Sequence, residues 1–423
     1  MNIRFYNAKI LTMEKDMDIF EGELWVRGNH VEYVGPAKTA DFIWDREINV
    51  NGNLVMPGFK NGHTHSAMTF LRSYADDLPL NDWLTKQVFP MEAKLSAEDI
   101  YHLSKLAIME YLTSGITANC DMYLTPETIV QASLDCGYRT VLVGAMNDFS
   151  QSVEMLEKWY NTYNNMNGLI HFQLGFHAEY TTSRDNLEAV AALARQYRAP
   201  VYSHNSETRG EVEACIRRYG KTPTAFLDSL GMFDYGGGGY HCVYMSQEDL
   251  EIFRTRGMAA VTNPASNLKL ASGIAPVGKM LEMGIPIAIG TDGPASNNCL
   301  DMFREMFLVT GLAKVQAMDA SAVDGEDVLK MATAGGAFSM GLEDCSSLSP
   351  GKLADLIIID LNQPNMQPVN HIPKNIVYSG SKSNVALTMV NGQVLYEKGE
   401  FYIGVEPEEV YRRANEIIAR MKG

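Results

Sequence analysis

Along the first fifty positions, apolar and polar residues alternate in short runs broken by turn residues: Ile3 to Ile10, Glu23 to Val26, Val31 to Val34 and Ile48 to Val55. That alternation predicts strands. Similar segments return near the far end, at Ala354 to Leu361, Ile376 to Tyr378, Asn384 to Val390 and Val394 to Lys398. Between the two β-rich ends the rhythm changes. Eight apolar or β-branched stretches each finish in polar residues and give way to helical periodicity. Their ends are Gly62-His63-Thr64-His65, Asn119-Cys120-Asp121, Gly144-Ala145-Met146-Asn147, Gly175-Phe176-His177, Ser203-His204-Asn205, Tyr240-His241-Cys242, Thr262-Asn263-Pro264 and Gly290-Thr291-Asp292. Eight β-then-α units predict a (β/α)8 TIM barrel of the α/β class.

The helices between them carry their own start and stop signals. Ser96 precedes Ala97-Glu98-Asp99 and an apolar-periodic run that stops before Gly115, and Ser246 precedes Gln247-Glu248-Asp249 and a helix that stops at Gly257. Residues 66 to 95 separate the first barrel strand from its helix, and a barrel loop of that length is expected to cover or shape a site. The four glycines Gly236 to Gly239 are expected to let backbones approach closely ahead of the sixth strand.

Composition narrows the function more than the fold. Apolar residues make up 46% and charged residues 20% of 423, enough for a large core and against disorder. A formal charge of -16 would repel a phosphate backbone, so a small molecule is the expected partner and nucleic acid is not. The polar opening Met1 to Ala8 does not read as a signal peptide, and runs such as Leu356-Ile357-Ile358-Ile359 are too short to span a bilayer. A cytoplasmic protein is expected. The six cysteines are scattered without close pairs, which suggests neither a disulfide framework nor a CxxC metal site.

Candidate chemistry begins with His63 and His65. Strand side chains alternate, so residues two apart point to the same face and could grip one ion from one strand end. An HxH pair is weak on its own. His204, His241 and Asp292, however, also fall at C-terminal strand ends, where barrel active sites are built, in a chain with only nine histidines. Imidazole and carboxylate suit zinc and its neighbours, and a divalent ion lowers the pKa of bound water towards neutrality.

The stretches Pro57 to His65, His204-Asn205-Ser206-Glu207, Tyr240-His241-Cys242, Asn263 to Leu270 and Gly290-Thr291-Asp292-Gly293 resemble the amidohydrolase superfamily. More narrowly the chain resembles its methylthioadenosine/S-adenosylhomocysteine deaminase branch, close to the triazine chlorohydrolases, nearly end to end. The resemblance implies a small β-sandwich lobe split between the chain ends: 1–55 and 351–423, the latter with a C-terminal helix, around a barrel at 56–350. It implies one divalent metal on His63, His65, His204 and Asp292, zinc first, with iron(II) or manganese(II) as alternatives. No lysine ends the fourth strand, so a carboxylated-lysine bridge between two metals is not expected.

By the same resemblance, His241 orients the attacking water, Asp292 shuttles a proton, and Glu207 protonates the ring nitrogen beside the attacked carbon. Trp83 would wall the substrate pocket, Glu92 would hold ribose hydroxyls, and His177 would touch the substrate. Glu179 stands where relatives often have proline, and could either alter the pocket or point to solvent. Asn147 to Tyr163 contains Lys158 but no arginine to pair with an amino-acid carboxylate. The expected substrate is therefore methylthioadenosine, 5'-deoxyadenosine or adenosine, ahead of S-adenosylhomocysteine. Another amino- or chloro-substituted heterocycle (a guanine-like purine, a pterin or a triazine) is the alternative, and a non-catalytic barrel scaffold the remote one. A symmetric homo-oligomer is expected from the same relatives.

Overall fold

The computed structural model describes residues 1–14, 17–74, 76–78, 80–164 and 166–423. The chain opens with β1 (Asn2–Leu11), β2 (Ile19–Arg27), β3 (His30–Gly35), β4 (Arg46–Asn49) and β5 (Leu54–Pro57). Eight parallel strands follow: β6 (Phe59–Thr64), β7 (Ile116–Asp121), β8 (Arg139–Val143), β9 (Ile170–Ala178), β10 (Val201–Asn205), β11 (Gly237–His241), β12 (Ala259–Thr262) and β13 (Ile287–Ile289). The return segments are β14 (Leu356–Ile359), β15 (Val385–Val390), β16 (Gln393–Glu397) and β17 (Glu400–Phe401), then a helix, Pro407–Lys422. Among the described residues no helix is long and apolar enough to cross a membrane.

Strands from both chain ends form one nine-stranded sheet, in which β14 pairs antiparallel with β5, and β5 parallel with β1. Its core shows why β1 alternates imperfectly. Ile3 and Phe5 face inward, then Ala8 and Ile10, because a bulge at Phe5/Ala8 with Asn7 at φ 52° shifts the register by one residue. The run Ile48 to Val55, expected as one strand, is two. Asn51 and Gly52, both at positive φ, turn the chain, so β4 and β5 pair with different stretches of β1. The expected strand Ile376 to Tyr378 is instead the end of a helix, Ile372–Tyr378. Its apolar residues Ile372, Ile376 and Val377 follow a helical spacing, and Pro373 sits in the first turn, where a missing N–H costs nothing.

The eight barrel strands run in the order β6 to β13. Ala118, Cys120, Val141, Val143, Tyr202, Tyr240, Val261 and Ala288 pack inside the barrel, and Ala337 and Met340 of the helix Gly336–Met340 join the same core. The seam between last and first strands is bonded as well. Asp292 N–H donates to the His63 carbonyl at 3.0 Å and Thr291 N–H to Asn61 Oδ1 at 2.9 Å. The glycine run behaves as expected, since a Cβ on Gly237 would stand 2.1 Å from the Val201 carbonyl oxygen of the paired strand.

Beneath the barrel, Arg139 at the start of β8 grips Asp355 beside β14 through bonds of 2.7 and 3.0 Å, with both side chains fully buried. Burial alone would raise the Asp355 carboxyl, but Arg139, helped by Lys60, holds it below the ordinary carboxylate range. A depressed folded pKa stabilises the fold above the unfolded value, and that contribution is lost as the pH falls through the folded one. Asp355→Ala, which strands a buried guanidinium, is expected to cost about 3–5 kcal/mol at neutral pH in a urea melt. A loss under about 1 kcal/mol would show that the pair does not join the two sheets energetically.

Candidate metal and substrate site

All five rim residues singled out by the strand-end pattern meet at the open end of the barrel. His63 and His65 come from the end of β6, His204 from β10, His241 from β11, and Asp292 from the turn after β13. The ligand atoms of His63, His65 and Asp292 lie within 4.8 Å of one another, and so do those of His63, His204 and His241. His63 is common to both groups. The expected set of His63, His65, His204 and Asp292 therefore gathers around His63, with His241 as a fifth neighbour. His241 and Asp292 hold left-handed backbones, at φ 70° and 57°, a conformation that costs a non-glycine residue of order 1–3 kcal/mol and concentrates at functional sites.

Hydrogen bonds orient the rings. His65 Nδ1 donates to the Met122 carbonyl, and His204 Nδ1 donates to the His177 carbonyl at 2.8 Å. A carbonyl only accepts, so each ring in its neutral form has its Nε2 lone pair turned to the cluster. His241 Nδ1 bonds Asn267 Oδ1 at 2.7 Å in the same way. His63 differs: it is fully buried, stacked on Tyr240 at 3.8 Å, and neither ring nitrogen has a hydrogen-bond partner. Two orphaned polar atoms in a dry core are costly unless something else satisfies them. Three further donors of the right chemistry within reach make a divalent cation the fitting group.

The electrostatics agree. Asp292 Oδ1 lies 3.3 Å from His65 Nε2 and 3.7 Å from His63 Nε2. Burial opposes charge on both Asp292 and His65, yet their mutual attraction prevails, pushing His65 up to about 9 and holding Asp292 well below the carboxylate range. The other oxygen, Oδ2, accepts from Ser266 Oγ at 2.6 Å and Ser296 Oγ at 3.0 Å. Glu207 is buried after β10, with Oε2 3.9 Å from His241 Nε2, and burial raises its carboxyl above the usual range. Such a carboxyl keeps its proton to a higher pH than an exposed glutamate does and can give it up to a base.

A cavity of about 370 Å³ opens beside these groups. Its walls include the expected Trp83, Glu92, His177 and Glu207, with Met68, Leu84, Val88 and Phe89 from the long loop after β6. Several wall residues carried no motif. Tyr123, two positions beyond Asp121 at the end of β7, is buried with its hydroxyl directed at the Glu92 carboxyl, whereas the Trp83 indole N–H is buried without a partner and is available to a ligand. Asn147 and Phe149 follow β8, where Asn147 Oδ1 accepts from the Phe149 and Ser150 amides and fixes a tight turn. No lysine or arginine lines the cavity among the described residues. Glu179 does not line it either. It is buried in a two-bond pairing with Arg218, at 2.8 and 2.5 Å, so it does not point to solvent, and it meets the cavity only through its neighbours Tyr180 and Thr181.

Residues 54–395 match the amidohydrolase family. The 5-methylthioadenosine/S-adenosylhomocysteine deaminase of Caldanaerobacter subterraneus subsp. tengcongensis is 40% identical to this chain over 430 residues, covering 99% of each. A 5'-deoxyadenosine deaminase of Methanosarcina mazei is 38% identical, covering 98% of each. The crystal structure of an adenosine deaminase from Xanthomonas campestris with bound zinc superposes with a TM-score of 0.94 at 32% identity, covering 100% of this chain and 98% of that one.

Proposed function

The chain belongs to the amidohydrolase family, and on that footing we propose that it is a zinc-dependent hydrolytic deaminase of adenine nucleosides with an uncharged 5'-substituent. One observation carries the reading. A metal-fitting His/Asp cluster, a buried carboxyl poised to donate a proton, and an apolar cavity without lysine or arginine all converge at one rim.

His63, His65, His204 and Asp292 would hold the ion, which when bound lowers the pKa of a coordinated water towards neutrality. The chain's own groups move the protons. Asp292 accepts one from the attacking water, and His241, whose Nε2 lies 3.9 Å from both Asp292 and Glu207, orients that water and steadies the charge that develops. Glu207 gives its proton to the ring nitrogen next to the carbon under attack, which makes that carbon electrophilic. The water's oxygen stays on the carbon, Asp292 passes the proton it took to the amino group, and the C–N bond breaks to release ammonia. The second water proton leaves the new hydroxyl to restore Glu207, and the ring nitrogen keeps the proton it was given. The Glu92 carboxyl, with the Tyr123 hydroxyl beside it, and the unpartnered Trp83 N–H face the ribose and its substituent, and His177 lines the same cavity. The six free cysteines, five of them buried, fit a reducing cytoplasmic setting.

Ammonia release across a substrate panel tests the reading. Methylthioadenosine and 5'-deoxyadenosine are expected to exceed S-adenosylhomocysteine in kcat/KM by at least about tenfold, since a carboxylate left without a cationic partner forfeits over roughly 1.4 kcal/mol. Free guanine, a pterin or a chlorotriazine turned over faster than any nucleoside would overturn it.

A further inference from the structure

Glu305 is a fully buried carboxylate that takes no part in the chemistry of the proposed deamination. It sits in the first turn of the helix Met302–Ala317 and, among the described residues, forms no ion pair. Burial raises its carboxyl, and the Ala265 and Asn297 N–H donors work against that by favouring the carboxylate. A buried acid without a cation is a liability that an apolar side chain would avoid. What it touches gives a reason for it.

One oxygen, Oε2, accepts from the Ala265 amide at 3.0 Å, and the other, Oε1, accepts from Asn297 Nδ2 at 2.8 Å. Ala265 precedes Ser266, and Asn297 follows Ser296. These are the two serines that donate to Asp292 Oδ2. Asn297 Nδ2 also donates to the Thr291 carbonyl at 2.6 Å, on the residue just before Asp292. Ser266 adjoins Asn267, which bonds His241 Nδ1. A cap for the short helix Pro264–Lys269 would need only one oxygen. The second ties that helix to the turn carrying Asp292.

We infer that Glu305 is a positioning residue that clamps Ser266 and Ser296 onto Asp292, so that one oxygen is fixed by hydroxyls and the other is presented to the metal. The inference rests on Asp292 being a metal ligand, as proposed. It predicts that the effect of Glu305 passes through the serines. Partners one shell out from a ligand typically carry roughly 10–100-fold in metal affinity or activity, of order 1.4–2.7 kcal/mol.

The test uses E305Q in the zinc-loaded full chain. The amide keeps one acceptor but turns an NH2 towards a donor, so one arm of the clamp opens. Zinc release to a chelator, read without substrate, is expected to quicken at least about tenfold. In turnover, kcat should fall by a similar factor with KM within about twofold, while the thermal transition stays cooperative. In an S266A/S296A background the same change should add less than about threefold. Unchanged zinc release and kcat, or a full multiplicative effect without the serines, overturns the inference. If E305Q does not fold, Asn297→Ala opens the other arm and carries the same expected and overturning results. A wild-type chain that holds zinc but deaminates no nucleoside defeats the substrate reading alone, because the release experiment still decides the role of Glu305.

Discussion

Glu207→Gln is expected to fold, bind zinc as the parent does, and lose about 10²- to 10⁴-fold in kcat, the range a positioned acid or base contributes. The reason is local. Gln preserves size and shape in the buried pocket, and the 3.9 Å approach to His241 leaves room for either group. It cannot deliver a proton to a ring nitrogen. Burial raises the Glu207 carboxyl, so the parent carries that proton to higher pH than an exposed glutamate does. Activity dependent on it should be present below the raised value and fall as the pH rises through it. Zinc analysis together with single-turnover ammonia release checks this, and a variant within about threefold of the parent, roughly 0.65 kcal/mol, would remove Glu207 from the mechanism.

Stripping the metal should have the other large effect. His63 has two buried nitrogens without partners and the Asp292 carboxylate has imidazoles as its charge partners, His65 foremost, so the metal-free chain is expected to be inactive and loosened at the rim. Turnover should drop to background on chelation and return with one equivalent of zinc. Melting should shift too: at free zinc about a thousand times Kd, a site formed only in the folded state adds about 4 kcal/mol. Full activity in protein verified to be metal-free would sink this reading.

Much of this was legible in the sequence because two periodicities carry it. Strand alternation put His63 and His65 on one face, and the barrel register put His204, His241 and Asp292 at the same rim; the cluster brings all five together. The resemblance to the deaminase branch is matched by full-length relatives. Contacts that depend on packing between distant segments were not legible. Glu179 offered no hint of Arg218, which lies 39 residues away. Ile376 to Tyr378 is too short and apolar for composition to separate strand from helix, and the wider spacing from Ile372 decides it. Tyr123 and Phe149 belong to no motif, and only their place just beyond a strand end could have marked them. Glu305 looks like any helix-start acid until its two hydrogen bonds are seen.

The bonded seam between β6 and β13 also bears on how the protein is made. His63 and His65 leave the ribosome early and Asp292 late, yet the Asp292 amide closes onto the His63 carbonyl. A nascent chain can thus display every histidine of the cluster while still lacking the carboxylate that completes it. The turn that closes the barrel is therefore the same one that completes the cluster, so neither is finished before the other.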